Sequence, residues 1–397
     1  MQSKKLNFSA LRFYALIAVL LLTGSSLVAQ QNAPAASKPD SDPATAPPQS
    51  TNQADTAAKP APPTAVAPPY EIKPAIDPKT NVPLYETIQE DWSSLQIGIS
   101  KLAAEPPLVG EVDDEPGFTR TLVQVKWRPG DPIDLWVVVP KGVKKPPVVL
   151  YLYNFTEDTG RFKDDGWCKR VTTGGVAAAG FVSALSGSRF HDRPMKQWFV
   201  SELQESLGST VHDVKFILDY LDSRGDLDMN RVGMFGEGSG GAVALMAAVA
   251  DPRIKAVDAL DPWGDWPDFL NWSPVMRMDD NPDQFMKPEF LKKVAPLDPV
   301  KWLPELNVPV RVQQVKTNLS VPMQSKEKIA AAVPKQAELM RFETVDELSR
   351  REGKGGLFLW IKGQVQAAGT PATGSDAPKA SLAEGKAASG SSTPPQR

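Results

Sequence analysis

Residues 231–241 read Arg-Val-Gly-Met-Phe-Gly-Glu-Gly-Ser-Gly-Gly, and the rest of the chain is organised around them. Residues 231–235 are a short apolar run, 236–241 a tight glycine turn, and 242–250 an alanine-rich helix. A strand, a sharp turn and a helix in that order hold one turn residue in a strained conformation at the end of a sheet. Glycines around it leave room for backbone to cross backbone. The flanks agree: residues 219–231 close one helix and lead into the strand, and residues 251–262 leave the next helix and enter another strand.

This stretch resembles the nucleophile elbow of the α/β-hydrolases, in their dienelactone-hydrolase and prolyl-oligopeptidase branches. The resemblance covers residues 119–362 and implies a mainly parallel sheet with helices on both faces. It also implies a serine at the centre of Gly-x-Ser-x-Gly-Gly, and there the chain departs. Gly236-Glu237-Gly238-Ser239-Gly240-Gly241 aligns without a gap and puts Gly238 in the serine's place. Ser239 falls one residue late, where the family contributes a backbone N–H to the oxyanion hole.

Acyl transfer by such a site needs a nucleophile, a histidine base and an acid that orients the histidine, in the chain order Ser, acid, His. The family's acid stands in an Asp-x-x-Val-Pro context, which here reads Asn318-Leu319-Ser320-Val321-Pro322. Its histidine is expected roughly thirty residues on. Glu352-Gly353-Lys354-Gly355-Gly356 occupies that region, and no histidine follows His212. All three roles are vacant, so the resemblance carries the fold and leaves the chemistry open.

A displaced set of Ser239, His191 and Asp261 is the catalytic alternative. His191 follows a predicted strand, and Asp261 ends the strand after the elbow. Against this set, Ser239 is expected to point into the elbow helix, and His191 reads more readily as an ordinary loop histidine paired with Asp192. His212, in mid-helix, is expected to face solvent or a neighbouring helix. Tyr153-Asn154-Phe155-Thr156 takes the position of the family's oxyanion loop. The N–H groups of Phe155 and Ser239 would there bind a carbonyl or an anion; otherwise the segment is a polar loop closing the sheet edge. Asn154, Phe155, Gly238, Ser239 and Asn318 are therefore the binding candidates at the elbow. Trp263, Trp266 and Trp272 would either stack on a sugar or aromatic ligand or pack an insertion onto the domain, the commoner use of such residues. Two acidic pairs, Glu157-Asp158 and Asp164-Asp165, lack a defined ligand loop and read as a solvated face, with no metal site. The glycine turn has neither a Lys-Ser/Thr sequel nor a completed Gly-x-Gly-x-x-Gly, so no phosphate loop and no cofactor are expected.

The chain has 397 residues, and composition divides it. Residues 1–30 carry Lys4, Lys5 and Arg12, an apolar run at 13–22 and small residues up to Ala29, the series of a secretory signal. The run is short for a membrane span of about 20 residues. Leu27 suits a cut after Ala29 poorly, which leaves an uncleaved anchor as the one expected membrane contact. Export to the periplasm or beyond the cell follows. Residues 31–83, rich in Ala and Pro, read as a disordered tether, and residues 363–397 as a disordered tail. Ile88, Trp92, Leu95, Ile99 and Leu102 have helical spacing, which makes 84–118 a helical extension.

Within 119–362, strands are predicted at 121–127, 133–139, 147–153, 181–185, 232–235, 254–260, 308–315 and 337–342. Helices are predicted at 171–179 and 199–221, and residues 356–361 form an apolar run near the end. Residues 262–307 read as a Trp-rich helical insertion over the sheet's C-terminal edge, where open α/β sheets bind ligands.

Net charge is −3 with both signs interspersed, so no nucleic-acid surface is expected. The cluster at 141–145 reads as a solvated turn. The single cysteine, Cys168, excludes an internal disulfide and a multi-cysteine zinc site, and is expected to be a buried thiol. Composition carries no signal for an oligomeric state. The function expected is non-catalytic binding or scaffolding, with a small acyl, peptide or glycan ligand. The alternatives are an esterase or peptidase using the displaced groups, and a structural envelope protein.

Overall fold

The computed structural model describes residues 75–76, 83–84, 90–98, 102–128, 130–154, 159–186, 202–276 and 282–368. The chain divides into two units at 71/72, and every described residue belongs to the second. The expected signal, most of the tether and nearly all of the tail lie outside the described residues.

Ala75–Ile76 (β1) and Pro83–Leu84 (β2) pair as a two-residue antiparallel ladder. Nine further strands among the described residues form one sheet: β3 (Leu108–Asp114), β4 (Phe118–Val125), β5 (Ile133–Pro140), β6 (Pro147–Leu152), β7 (Ala177–Phe181), β8 (Asp228–Glu237), β9 (Ile254–Leu260), β10 (Val310–Val315) and β11 (Glu338–Phe342). Their order is β11-β10-β9-β8-β6-β7-β5-β4-β3. Every pairing from β11 to β7 is parallel, and β5, β4 and β3 add an antiparallel edge. Strands covered on both faces read as continuous apolar runs, and every residue of β6 and β7 is buried.

The helices are α1 (Asp165–Thr172), α2 (Leu203–Ser223), α3 (Ser239–Ala250), α4 (Trp266–Trp272), α5 (Pro288–Val294), α6 (Pro299–Trp302), α7 (Met323–Ala332), α8 (Val345–Gly353) and α9 (Leu359–Ala367). Two apolar clusters cover the two faces of the sheet. One takes residues of α2, α3 and the 262–307 segment; the other takes residues of α1 and α9. The mainly parallel sheet, the antiparallel N-terminal hairpin and the helices on both faces match the architecture expected from the elbow.

Four predicted elements differ. The helix expected at 171–179 lies earlier, at α1. Asp164 caps it by accepting the Trp167 N–H at 2.5 Å, and Gly174 and Gly175, with φ of 88° and 76°, follow its end. Ala184–Ser186 is a 3₁₀ turn, and the strand predicted at 181–185 lies instead at Ala177–Phe181. Its small residues suit a site crowded by the Phe162 ring, which would collide with a side chain at Gly180. The apolar run at 356–361 forms a 3₁₀ turn and the start of α9, which continues past the predicted boundary at 362.

The fourth correction is the helical extension at 84–118. Residues 90–98 form turns, and β3 is the edge strand of the sheet. Turns prevail because this segment is held by long-range contacts. Trp92 lies so close to α2 that a Cβ at Gly208 would stand 2.8 Å from the Trp92 Cα and closer still to its carbonyl oxygen. Glu90 reaches a buried network in which Arg128 donates to both its oxygens, at 2.6 and 2.7 Å, and also to Asp213. His212, expected at a surface or a helix contact, is buried beneath the segment. Its ring nitrogens lie 2.6 Å from Glu90 Oε1 and 2.9 Å from the Ser94 carbonyl oxygen. Burial alone would raise the Glu90 carboxyl, but hydrogen bonds from Arg128 and His212 hold it down at about 2.

A closed elbow as candidate functional site

The backbone of the elbow is formed. Gly238, at the end of β8, has φ 55° and ψ −116°, a conformation that favours glycine. Its N–H donates to the Leu260 carbonyl at 2.9 Å, and its carbonyl accepts the N–H groups of Trp263 at 3.0 Å and Ala242 at 3.2 Å. The flanking glycines serve the crossing. A Cβ at Gly236 would stand 2.7 Å from the Gly241 Cα, and one at Gly240 would stand 2.9 Å from the Leu152 Cβ.

What occupies the nucleophile's position is the side chain of Asn154, from the loop after β6. A Cβ built on Gly238 would lie 2.5 Å from Asn154 Oδ1 and 2.6 Å from its Cγ. The same Oδ1 accepts the Ser239 N–H and the Ser239 hydroxyl, each at 3.3 Å. One carboxamide thus fills the volume a serine side chain would need and engages the N–H that the family directs at an oxyanion. Ser239 is fully buried at the start of α3.

Asn318, expected at the position of the family's acid, is engaged within the protein. Asn318 Nδ2 donates to Asp261 Oδ2 at 2.8 Å, and Asn318 Oδ1 accepts the Ser320 N–H and hydroxyl at 3.1 and 2.7 Å. Asp261 is buried, with φ 42°, and its Oδ1 accepts the Val315 N–H at 3.0 Å. Behind it, Lys326 of α7 places Nζ 3.6 Å from Asp261 Oδ1 and donates to the carbonyls of Val315 and Asn318, at 2.5 and 2.6 Å. Burial raises the Asp261 carboxyl and Lys326 partly opposes it; burial likewise lowers the Lys326 ammonium. Each of these groups spends its hydrogen bonds inside the cluster or on nearby backbone.

In the region where the resemblance led a histidine to be expected, Glu352 pairs with Arg161, whose guanidinium lies 4.6 Å from the centre of the Tyr153 ring. An ion pair packed on an aromatic ring therefore stands there. Sequence reasoning missed both Lys326 and this pair. Lys326 has one local signal, its place on the helix directly after Val321-Pro322. Arg161 has none, since its partner is 191 residues away.

The remaining candidates sort as follows. Phe155, His191, Glu157 and Asp158 lie outside the described residues, so the structure assembles Ser239 with Asn154 and Asp261 with Asn318, and describes no partner for either at His191. Trp263 and Trp266 are buried against Phe269, with ring centroids 4.7 and 5.8 Å away, and Trp266 Nε1 donates to the Leu297 carbonyl at 3.0 Å. These two indoles pack the insertion onto the domain. Trp272 is half exposed. Asp164 caps α1, and Asp165 accepts from Arg120 at 3.1 Å. Among the described residues no group of three or more His, Cys, Asp or Glu side chains could hold a metal ion. No helix among them is long and apolar enough to cross a membrane. Cys168 is buried and its thiol bonds to the Phe162 carbonyl; burial pushes it up to about 11.

The chain matches no protein-family model and no curated protein. Among solved structures it is similar to the acetyl xylan esterase from Paenibacillus sp. R4, at 18% identity and a TM-score of 0.52, over 66% of this chain and 89% of that one. It is also similar to an S-formylglutathione hydrolase from Agrobacterium tumefaciens, at 14% identity and a TM-score of 0.49, over 65% and 99% of the two chains. The first likeness speaks to architecture alone: the chain has the α/β-hydrolase fold.

Proposed function

We propose that this chain is an exported, non-catalytic member of the hydrolase-fold proteins, acting as a binding or scaffolding pseudo-hydrolase. The observation that carries the reading is the Asn154 carboxamide seated where a nucleophile side chain would stand. A site of this class accelerates acyl transfer through its nucleophile and through donors aimed at the developing oxyanion. Here the first is replaced by hydrogen and one of the second is bonded within the protein. The Asn318–Asp261–Lys326 and Arg161–Glu352 contacts support the reading, because they engage within the protein the groups that stand where the acid and the base are expected. The proposed ligand is a small acyl, peptide or glycan group at the sheet's C-terminal edge, held without turnover.

The test is reaction of the purified full chain with a fluorophosphonate probe, alongside hydrolysis of p-nitrophenyl acetate. We expect no covalent labelling and no turnover above the buffer rate. Labelling that disappears in Ser239→Ala would establish the catalytic alternative with displaced groups and defeat the proposal.

A further inference from the structure

A cavity of about 380 Å³ opens at the opposite end of the sheet from the elbow, where β10 and β11 begin. Its wall is prepared from beneath. Asp258 of β9, Arg311 of β10 and Glu338 of β11 are direct cross-strand neighbours in one row. Asp258 is fully buried and holds Arg311 through two hydrogen bonds, at 3.0 and 2.5 Å. Arg311 also donates to the Leu357 carbonyl at 2.9 Å, so its guanidinium is fixed. That guanidinium lies 5.1 Å from the centre of the Trp360 ring, while Trp360 Nε1 donates to Glu338 Oε1 at 2.5 Å. Two charged groups thus set the height and the rotation of one indole, which lines the cavity together with Glu338.

Around this plate stand three carboxamides, Asn307, Gln336 and Gln364, the last four residues after Trp360 on α9 and so on the same helix face. The Gln336 and Gln364 side chains make no hydrogen bond within the described residues. The lining contains no Lys or Arg, so an anion would find no charge complement and would meet Glu338 instead. For a cation the lining offers Glu338 alone, a carboxylate already engaged by Trp360 Nε1, beside an indole whose ring already carries Arg311. What an oriented aromatic plane, amides that donate and accept, and one carboxylate acceptor suit is a neutral ligand. Such a ligand has an apolar face and a rim of hydroxyls. The volume falls at the lower end of the range for small-ligand sites, about 300–1,000 Å³.

We propose that the cavity beside Trp360 is a binding site for a neutral saccharide, separate from the elbow and independent of whether the elbow is catalytic. The test titrates the full chain by calorimetry with cellobiose, maltose and N,N′-diacetylchitobiose, with digalacturonate and choline as charged controls. Saturable binding of at least one neutral disaccharide is expected, weakened about tenfold or more by Trp360→Ala. A Gln336→Ala/Gln364→Ala double variant, altered only at the cavity's outer rim, should weaken it likewise and guards against a folding defect in the first. Absence of saturable binding by all three neutral sugars would overturn the proposal. So would binding confined to the charged controls, or neutral-sugar binding that both variants leave unchanged.

Discussion

At Gly238 the space beside the backbone is filled by a side chain, the carboxamide of Asn154; at Gly208 it is filled by the main chain at Trp92. A side chain can rotate away or be shortened, whereas main chain held at both ends cannot. The elbow therefore keeps its strained turn around a replaceable group, and its charges at Asp261 and Lys326 sit at the edge of the fold's ligand-binding end. The contact over α2 is of another kind. Arg128 there is the shared cation for Glu90 and Asp213, both fully buried, and Asp131 lies 3.6 Å away. The first region can change side chains around a fixed backbone, while the second region holds the 90–98 segment to the domain.

The contrast predicts its largest effect at Arg128. In Arg128→Ala, Glu90 and Asp213 are left buried without their cation. Breaking such a pair from one side costs about 3–5 kcal/mol. Denaturant unfolding should register a loss of that order, and limited proteolysis should find residues 90–98 newly cleavable. A variant as stable and as protease-resistant as the parent would mean that the network does not hold the segment down.

Gly208→Ala comes next. Inside a helix this change is ordinarily favourable by roughly 1 kcal/mol. Here the new methyl would meet Trp92 backbone, and overpacking of this type costs about 1–3 kcal/mol. A net destabilisation is expected, with detachment of 90–98 seen by hydrogen exchange at Ser94 and Leu95. Adding Trp92→Ala should not restore stability, because the obstacle is main chain; full recovery in the double variant would refute the distinction drawn between the two glycines.

How far the sequence reveals these regions follows the range of the interactions. The elbow is legible because its pattern is local: the closely spaced glycines Gly236, Gly238 and Gly240 mark the turn, with Gly236 crossing Gly240 and Gly241 nearby, and β9 lies where its apolar run predicts. The 90–98 segment is misread for the opposite reason. Its apolar spacing is helical, but Glu90 and Trp92 are claimed by Arg128, Gly208 and His212, residues 38 to 122 positions away. Ala177–Phe181 fails similarly: alanines favour helix locally, while the crowding by Phe162 that requires small residues is tertiary. At the candidate site, the vacant triad positions can be counted in the chain, yet nothing in Tyr153-Asn154-Phe155 reveals that the Asn154 side chain closes the turn 84 residues later. Trp263 and Trp266 are equally ambiguous until Phe269 and Leu297 are seen against them.

The coupling at the elbow itself separates two costs that the sequence confounds. Gly238→Ala places a Cβ on a backbone with φ 55°, a strain of about 1–3 kcal/mol, and also drives that Cβ into Asn154. Asn154→Gly removes the collision and leaves the strain. A double-mutant cycle on unfolding free energy should therefore show the Gly238→Ala penalty falling, without vanishing, when Asn154→Gly is present. A penalty that is unchanged in the Asn154→Gly background would mean the carboxamide moves aside at no cost and does not close the seat. The whole penalty disappearing would mean the turn relaxes once its neighbour is gone, and the strained geometry at Gly238 would then depend on Asn154 rather than on the clamp from Leu260 and Trp263.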